Sequence, residues 1–150
     1  MTGRDDELPP PEEEVRAPGI RVLHPPDAEV RTGVVETRHH VIHKVHIRGP
    51  WITSASEPGV GARYEIRILV FEDPDGGPVE DPLATGRIRP DPGRYRLLSG
   101  RMGGIEATIR KPNDPGQIRR AAYARGERRF YFVEWRGPAE PILETLELTG

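Results

Sequence analysis

Glycine and proline break this chain at short intervals from end to end, and the widest gap between them is Val34–Arg48. Long helices do not survive such spacing, because proline removes a hydrogen bond and glycine costs helix stability. Strands of five to eight residues do. There are 17 residues of each type, spread between apolar stretches and not gathered into one low-complexity block. The spacing therefore predicts many short strands joined by turns.

Alternation identifies the strands. In Arg63–Phe71, Tyr64, Ile66, Ile68 and Val70 occupy every second position, the period of a pleated strand. Arg128–Trp135 carries Phe130 and Phe132 on one face and Tyr131, Val133 and Trp135 on the other, which predicts a central strand covered on both faces. Shorter or weaker patterns mark Ile20–Leu23, Val30–Glu36, His40–Arg48, Gly93–Leu98 and Ile105–Arg110. Ile142–Leu148 suits either a strand or a short helical turn. Asp73-Pro-Asp-Gly-Gly77 has the composition of a hairpin turn, and Met102-Gly-Gly104 that of another turn. One helix is predicted over Asn113–Gly126. Asn113 or Asp114 would cap it, Pro115 suits its first turn, Gly126 its stop, and Ile118, Ala121 and Ala122 would face the core.

The expected fold class is all-β: an antiparallel β-sandwich or jelly-roll-like barrel with one short helix. Residues 1–18 are set apart. They hold Asp5, Asp6, Glu7, Glu12, Glu13 and Glu14 against Arg4 and Arg16, a triple proline at 9–11, and little to bury. Such a segment does not offset its ordering entropy, so an acidic, disordered tail is expected over 1–18 and a single domain over 19–150.

Beyond the tail the charges nearly cancel, and the whole chain carries a formal net charge of -2. This gives no field to attract nucleic acid or an anionic membrane. No apolar run has the length of a membrane-spanning helix. With no cysteine there is no thiolate or disulfide chemistry. The N-terminus lacks the apolar core of a secretory signal, so a cytoplasmic location is the default expectation.

Three stretches could carry chemistry. His39-His40-Val-Ile-His43-Lys-Val-His46 holds four of the five histidines. Its Val and Ile content favours a strand. His43 would then share a face with Val41, Val45 and Ile47, and His46 the opposite face with Lys44. Same-face positions four apart lie about 13 Å from each other, too far to share one ion. His40, His43 and His46 remain the metal candidates, for a metal-binding β-barrel enzyme whose second-strand ligands would be His24 or carboxylates. The plainer expectation has His40 and His46 facing solvent, His43 partly buried with a hydrogen bond, and no cofactor.

The second stretch, Phe71–Asp81, is dense in carboxylates: Glu72, Asp73, Asp75, Glu80 and Asp81. Its spacing departs from the calcium-loop pattern, with Gly77 and Ala84 where oxygen ligands belong. Phe71-Glu-Asp-Pro-Asp-Gly76 resembles a strand-end motif of the vicinal-oxygen-chelate (glyoxalase-like) family. That family implies paired βαβββ modules with a helix between its early histidine strand and this motif. Residues 41–72 read as strand and loop, so turn chemistry accounts for the likeness.

The third stretch, 110–136, interleaves arginines with Phe130, Tyr131, Phe132 and Trp135, the ingredients of single-strand nucleic-acid binding. Arg119, Arg120, Arg128, Arg129 and Trp135 are its binding candidates. No nucleophile elbow, P-loop or dinucleotide fingerprint occurs. The expectation is a non-catalytic interaction or structural module in a larger protein assembly, joined to a protein partner or to itself. An accessory subunit of a virion, tail or injection machine is an example by analogy.

Overall fold

In the computed structural model, residues 10–50, 52–53, 61–88, 94–114 and 119–149 are described. Twelve strands and one short helix follow in order: β1 (Glu13–Ala17), β2 (Ile20–His24), β3 (Glu29–Glu36), β4 (Val41–Arg48), β5 (Ile52–Thr53), β6 (Gly61–Ala62), β7 (Glu65–Glu72), β8 (Tyr95–Met102), β9 (Ile105–Pro112), β10 (Arg120–Arg125), β11 (Phe130–Arg136), α1 (Glu140–Leu143) and β12 (Glu147–Leu148). Seven strands form one sheet in the order β3-β4-β7-β11-β10-β9-β8. A three-stranded sheet has the order β1-β2-β12, and β5 pairs with β6. Every pairing is antiparallel. The fold is an all-β sandwich, as the turn spacing predicts.

The large sheet is covered on both faces, unequally. On the inner face Val45, Ile47, Ile66, Ile68, Val70, Tyr131 and Val133 pack against Ile20 and Val22 of β2, Leu148 of β12 and Ile142 of α1. On the outer face Ile42, Phe71, Phe130, Phe132, Ala121 and Tyr123 are covered by Val79, Leu83 and Ile88 from the irregular segment after β7. Each fully buried aliphatic chain contributes about 1.5–3 kcal/mol, so the longest-range order rests on β4, β7 and β11. The doubly apolar reading of β11 follows from this: its Phe130–Val133 run is buried throughout.

Three expectations are corrected, and one alternative left open is settled. The helix expected over Asn113–Gly126 is instead strand β10 from Arg120 to Arg125, paired with β9 and β11. Ile118 and Pro115 lie outside the described residues, while Ala121 and Ala122 are buried as strand residues. Among the described residues the helix is the four-residue α1. Ile142–Leu148 thus begins as a helical turn and ends as β12, so both readings of that stretch hold in part. Third, Asp73–Gly77 turns the chain but makes no hairpin. The neighbours of β7 in the sheet are β4 and β11, not the next strand β8, so the chain crosses the outer face and returns at the far edge.

Fourth, the acidic segment is a strand from Glu13 onward. Pro18-Gly19 closes the β1–β2 hairpin, with Gly19 at a φ of 79° that an L side chain avoids. Glu14 pairs with Arg16 and Arg21 along its surface. Residues 1–9 lie outside the described residues. The Met102-Gly-Gly104 turn does join β8 to β9 as expected, with positive φ at both glycines.

Candidate functional site

The histidine segment folds as its alternation predicts, and the fold disperses its imidazoles. In β4, His43 pairs across to Val70 on the inner face and His46 to Arg67 on the outer face. His39 and His40 precede the strand. Each ring has its own partner. His39 Nδ1 lies 2.9 Å from Glu80 Oε2, and His40 Nε2 lies 2.7 Å from the Glu80 carbonyl oxygen. His43 Nε2 lies 2.5 Å from Glu72 Oε1, and His46 Nε2 lies 2.7 Å from Glu65 Oε2. His43 is partly buried with a hydrogen bond, as expected. His40 is not solvent-facing: it is 1% exposed and meets Phe71 edge-on. The Thr37–Gly49 stretch enters β4 through a turn that Thr37 closes onto His40, which swings the ring inward. Among the described residues no three His, Asp or Glu side chains converge on one point where a metal ion could sit.

The carboxylates of Phe71–Asp81 are engaged by the fold. Glu72 takes His43 and Arg129, Asp73 Oδ2 accepts the Gly77 amide, and Asp81 accepts the Leu83 amide and pairs with Arg125. Burial raises the Glu72 carboxyl. The hydrogen bonds from Arg129 and His43, with their charges, outweigh burial and hold it below the usual 4.5.

The candidates of 110–136 separate along the β10–β11 hairpin. Arg119 and Arg120 sit at the end that holds Trp135, and Arg128 and Arg129 at the turn end, where Arg125 registers with Phe130. A strand of that length spans about 20 Å. Arg119 Nη1 bonds Glu134 Oε1 at 3.1 Å, and Arg129 Nε bonds Glu72 Oε2 at 2.7 Å. Phe130 and Tyr131 are buried in the two cores and present no free faces for bases to stack on, and Phe132 is only 9% exposed. Trp135 is partly buried, and its Nε1 has no partner among the described residues.

Two features were not singled out by the sequence. The first is a charged cluster on the uncovered end of the outer face. Register brings Arg48, Glu65 and Arg136 into one row and His46, Arg67 and Glu134 into the row beside it. Glu65 is at the centre, with its side chain 8% exposed. Besides His46, Arg136 Nε lies 3.2 Å from Glu65 Oε1, and Arg119 and Arg67 each bring a guanidinium nitrogen to 3.8 Å of the carboxylate. Burial raises the Glu65 carboxyl, but the His46 hydrogen bond and the charges of Arg67, His46 and Arg136 prevail and lower it. Beside the cluster an open groove of about 350 Å³ has Leu69 and Phe132 as its floor and Lys44, His46, Arg67 and Glu134 as its rim. The only sequence signal was charge at alternating positions of β4 and β7.

The second feature is the pair of free edges. The large hydrophobic side chains exposed among the described residues are Val34 at 59%, Val35 at 39%, Leu97 at 47% and Leu98 at 41%. All four lie on β3 and β8, the two edge strands of the seven-stranded sheet.

Comparison of the chain with protein-family models, with curated proteins and with solved structures gives no match.

Proposed function

We propose that this protein is a non-catalytic assembly module that joins copies of itself through the two open edges of its large sheet. The observation that carries this reading is the confinement of exposed Val34, Val35, Leu97 and Leu98 to β3 and β8. An edge strand offers unpaired backbone groups, and natural sheets commonly blunt such edges with charge. Here both edges carry exposed apolar side chains, Val34 and Val35 toward the end of β3 and Leu97 and Leu98 within β8.

Charge favours contact between unlike edges. β8 carries Arg96 and Arg101 and no acid, so two β8 edges repel, whereas β3 carries Glu29 and Glu36 against Arg31, one acid in excess. In an antiparallel sheet of seven strands, β3 and β8 run the same way. Joining β8 of one copy to β3 of the next, like face beside like face, therefore makes a parallel pair. Such a head-to-tail contact repeats into a ring or a filament. A ring or tube subunit of a larger particle is the kind of role this suits.

The test is native mass spectrometry with light scattering across concentration. Multiples beyond the dimer are expected. Val34→Lys with Val35→Lys blocks one edge, and Leu97→Lys with Leu98→Lys blocks the other. Each variant alone should be monomeric, and an equal mixture should stop at a one-to-one dimer. A monomer at every concentration, or a mixture that never pairs, refutes the reading.

A further inference from the structure

We infer that the cationic groove on the outer face binds the acidic N-terminal segment, residues 1–12, of a second copy. That the segment comes from a second copy rests on the assembly reading above; the groove stands independently of it. Glu65 is already surrounded by His46, Arg67, Arg119 and Arg136, and Arg119 is shared with Glu134. Positive charge is left over at the rim. Lys44 is exposed and has no ion pair among the described residues, and the Arg67 side chain is 51% exposed. The floor of Leu69 and Phe132 is apolar. A groove with this rim and floor suits an extended, acidic peptide, laid along the sheet face with its carboxylates on the arginines.

The chain supplies such a peptide. Residues 1–12 hold Asp5, Asp6, Glu7 and Glu12 against Arg4, with one large aliphatic side chain, Leu8, beside the acids. The triple proline at 9–11 favours an extended form, which lowers the entropy lost on binding. The segment leaves the fold at the cluster's end of the sandwich. Glu12 donates to His24, the chain then runs from β2 into Glu29, and Glu29, Arg48, Glu65 and Arg136 are successive partners across the large sheet. Its own sheet, however, packs on the inner face. To reach its own groove the segment must round the end where Arg63 Nε bonds the Gly49 carbonyl. A neighbour's segment approaches the groove from outside.

The test titrates a synthetic peptide of residues 1–12 into the isotope-labelled full chain and reads amide shifts by NMR. Shifts are expected at Lys44, His46, Arg67, Phe132 and Glu134, with affinity falling about tenfold between about 50 and 200 mM salt. A peptide with Asp5→Asn, Asp6→Asn, Glu7→Gln and Glu12→Gln should not bind, and Lys44→Glu with Arg67→Glu in the protein should abolish the shifts. No shift at millimolar peptide, shifts elsewhere, or equal binding of the neutral peptide overturns the inference. So does a groove that ignores added peptide yet shifts when Asp5, Asp6 and Glu7 are neutralised in its own chain, because the segment is then held within one copy. Oligomers without peptide binding defeat this inference alone; peptide binding by a chain that stays monomeric defeats the edge reading and the second-copy source of the segment, and leaves the groove's recognition of the acidic segment standing.

Discussion

His40 Nε2 lies 2.7 Å from the carbonyl oxygen of Glu80, and this contact ties the start of β4 to the segment that crosses the outer face. The ring is 1% exposed and stands edge-on to Phe71, with centroids 5.2 Å apart. It is both a packing element and the buried partner of a backbone carbonyl. His40→Ala removes both roles and should cost about 2–4 kcal/mol. His40→Phe keeps the packing and loses only the hydrogen bond, so it should cost about 1 kcal/mol. Urea denaturation measures both. A His40→Ala protein within about 0.5 kcal/mol of the parent would show that the outer face closes without this contact.

Acid should act on the fold through Glu72. Its carboxyl is held below 4.5 by Arg129 and His43 despite burial. A carboxylate with a lowered native value binds fewer protons when folded, so its contribution is present above the ordinary value and is lost as pH falls below it. The melting temperature should fall as pH drops below about 4.5, and Glu72→Gln should flatten that fall while lowering stability at neutral pH. Melting curves from pH 3 to 7 decide it; parallel curves for the two proteins would remove Glu72 as the responsible group.

The opposite sign applies at Tyr64. Its side chain is 0% exposed, and burial, with Asp27 nearby, pushes its hydroxyl up to about 12. The hydroxyl has no hydrogen-bond partner among the described residues. Between its ordinary value of 10.0 and about 12 the folded state holds a proton that the unfolded state releases. Stability therefore falls as pH rises through that window. Absorbance titration at 295 nm should show Tyr64 ionising late, alongside Tyr131, whose hydroxyl burial also raises, and Tyr64→Phe should remove part of that late step. Because an unpartnered hydroxyl gives no hydrogen bond to lose, the same variant should stay within about 1 kcal/mol of the parent.

How much of this was legible in the sequence follows from where each side chain's environment comes from. β7 and β11 were legible because their own alternation fixes which residues are buried. β10 was not. Ala121, Ala122 and Ala124, framed by Asn113 and Gly126, have the propensity and caps of a helix. The structure uses them as small strand residues beside bulky neighbours, with Ala122 opposite Val133 and Ala124 opposite Tyr131. β1 was hidden because only Val15 and Ala17 of it pack against the core, on a strand otherwise charged. Its audible signal was Pro18-Gly19. The Glu65 cluster takes residues from β4, β7, β11 and the approach to β10, and no local pattern announces a site assembled from four elements.

Glu65 gives the last prediction. Removing one partner of a buried ion pair costs more than the pair contributes, because the other charge is left behind. Glu65 has a side chain 8% exposed, but Arg67, Arg119 and Arg136 are each 36–51% exposed and regain water when it is lost. The cost of Glu65→Gln should therefore fall below the full buried-pair value, at about 1–3 kcal/mol. Arg136→Ala leaves Glu65 with His46 and two more distant guanidiniums and should cost less than Glu65→Gln. A larger loss from Arg136→Ala would mean that the arginine, through its packing on the sheet end, and not the glutamate, organises this corner of the fold.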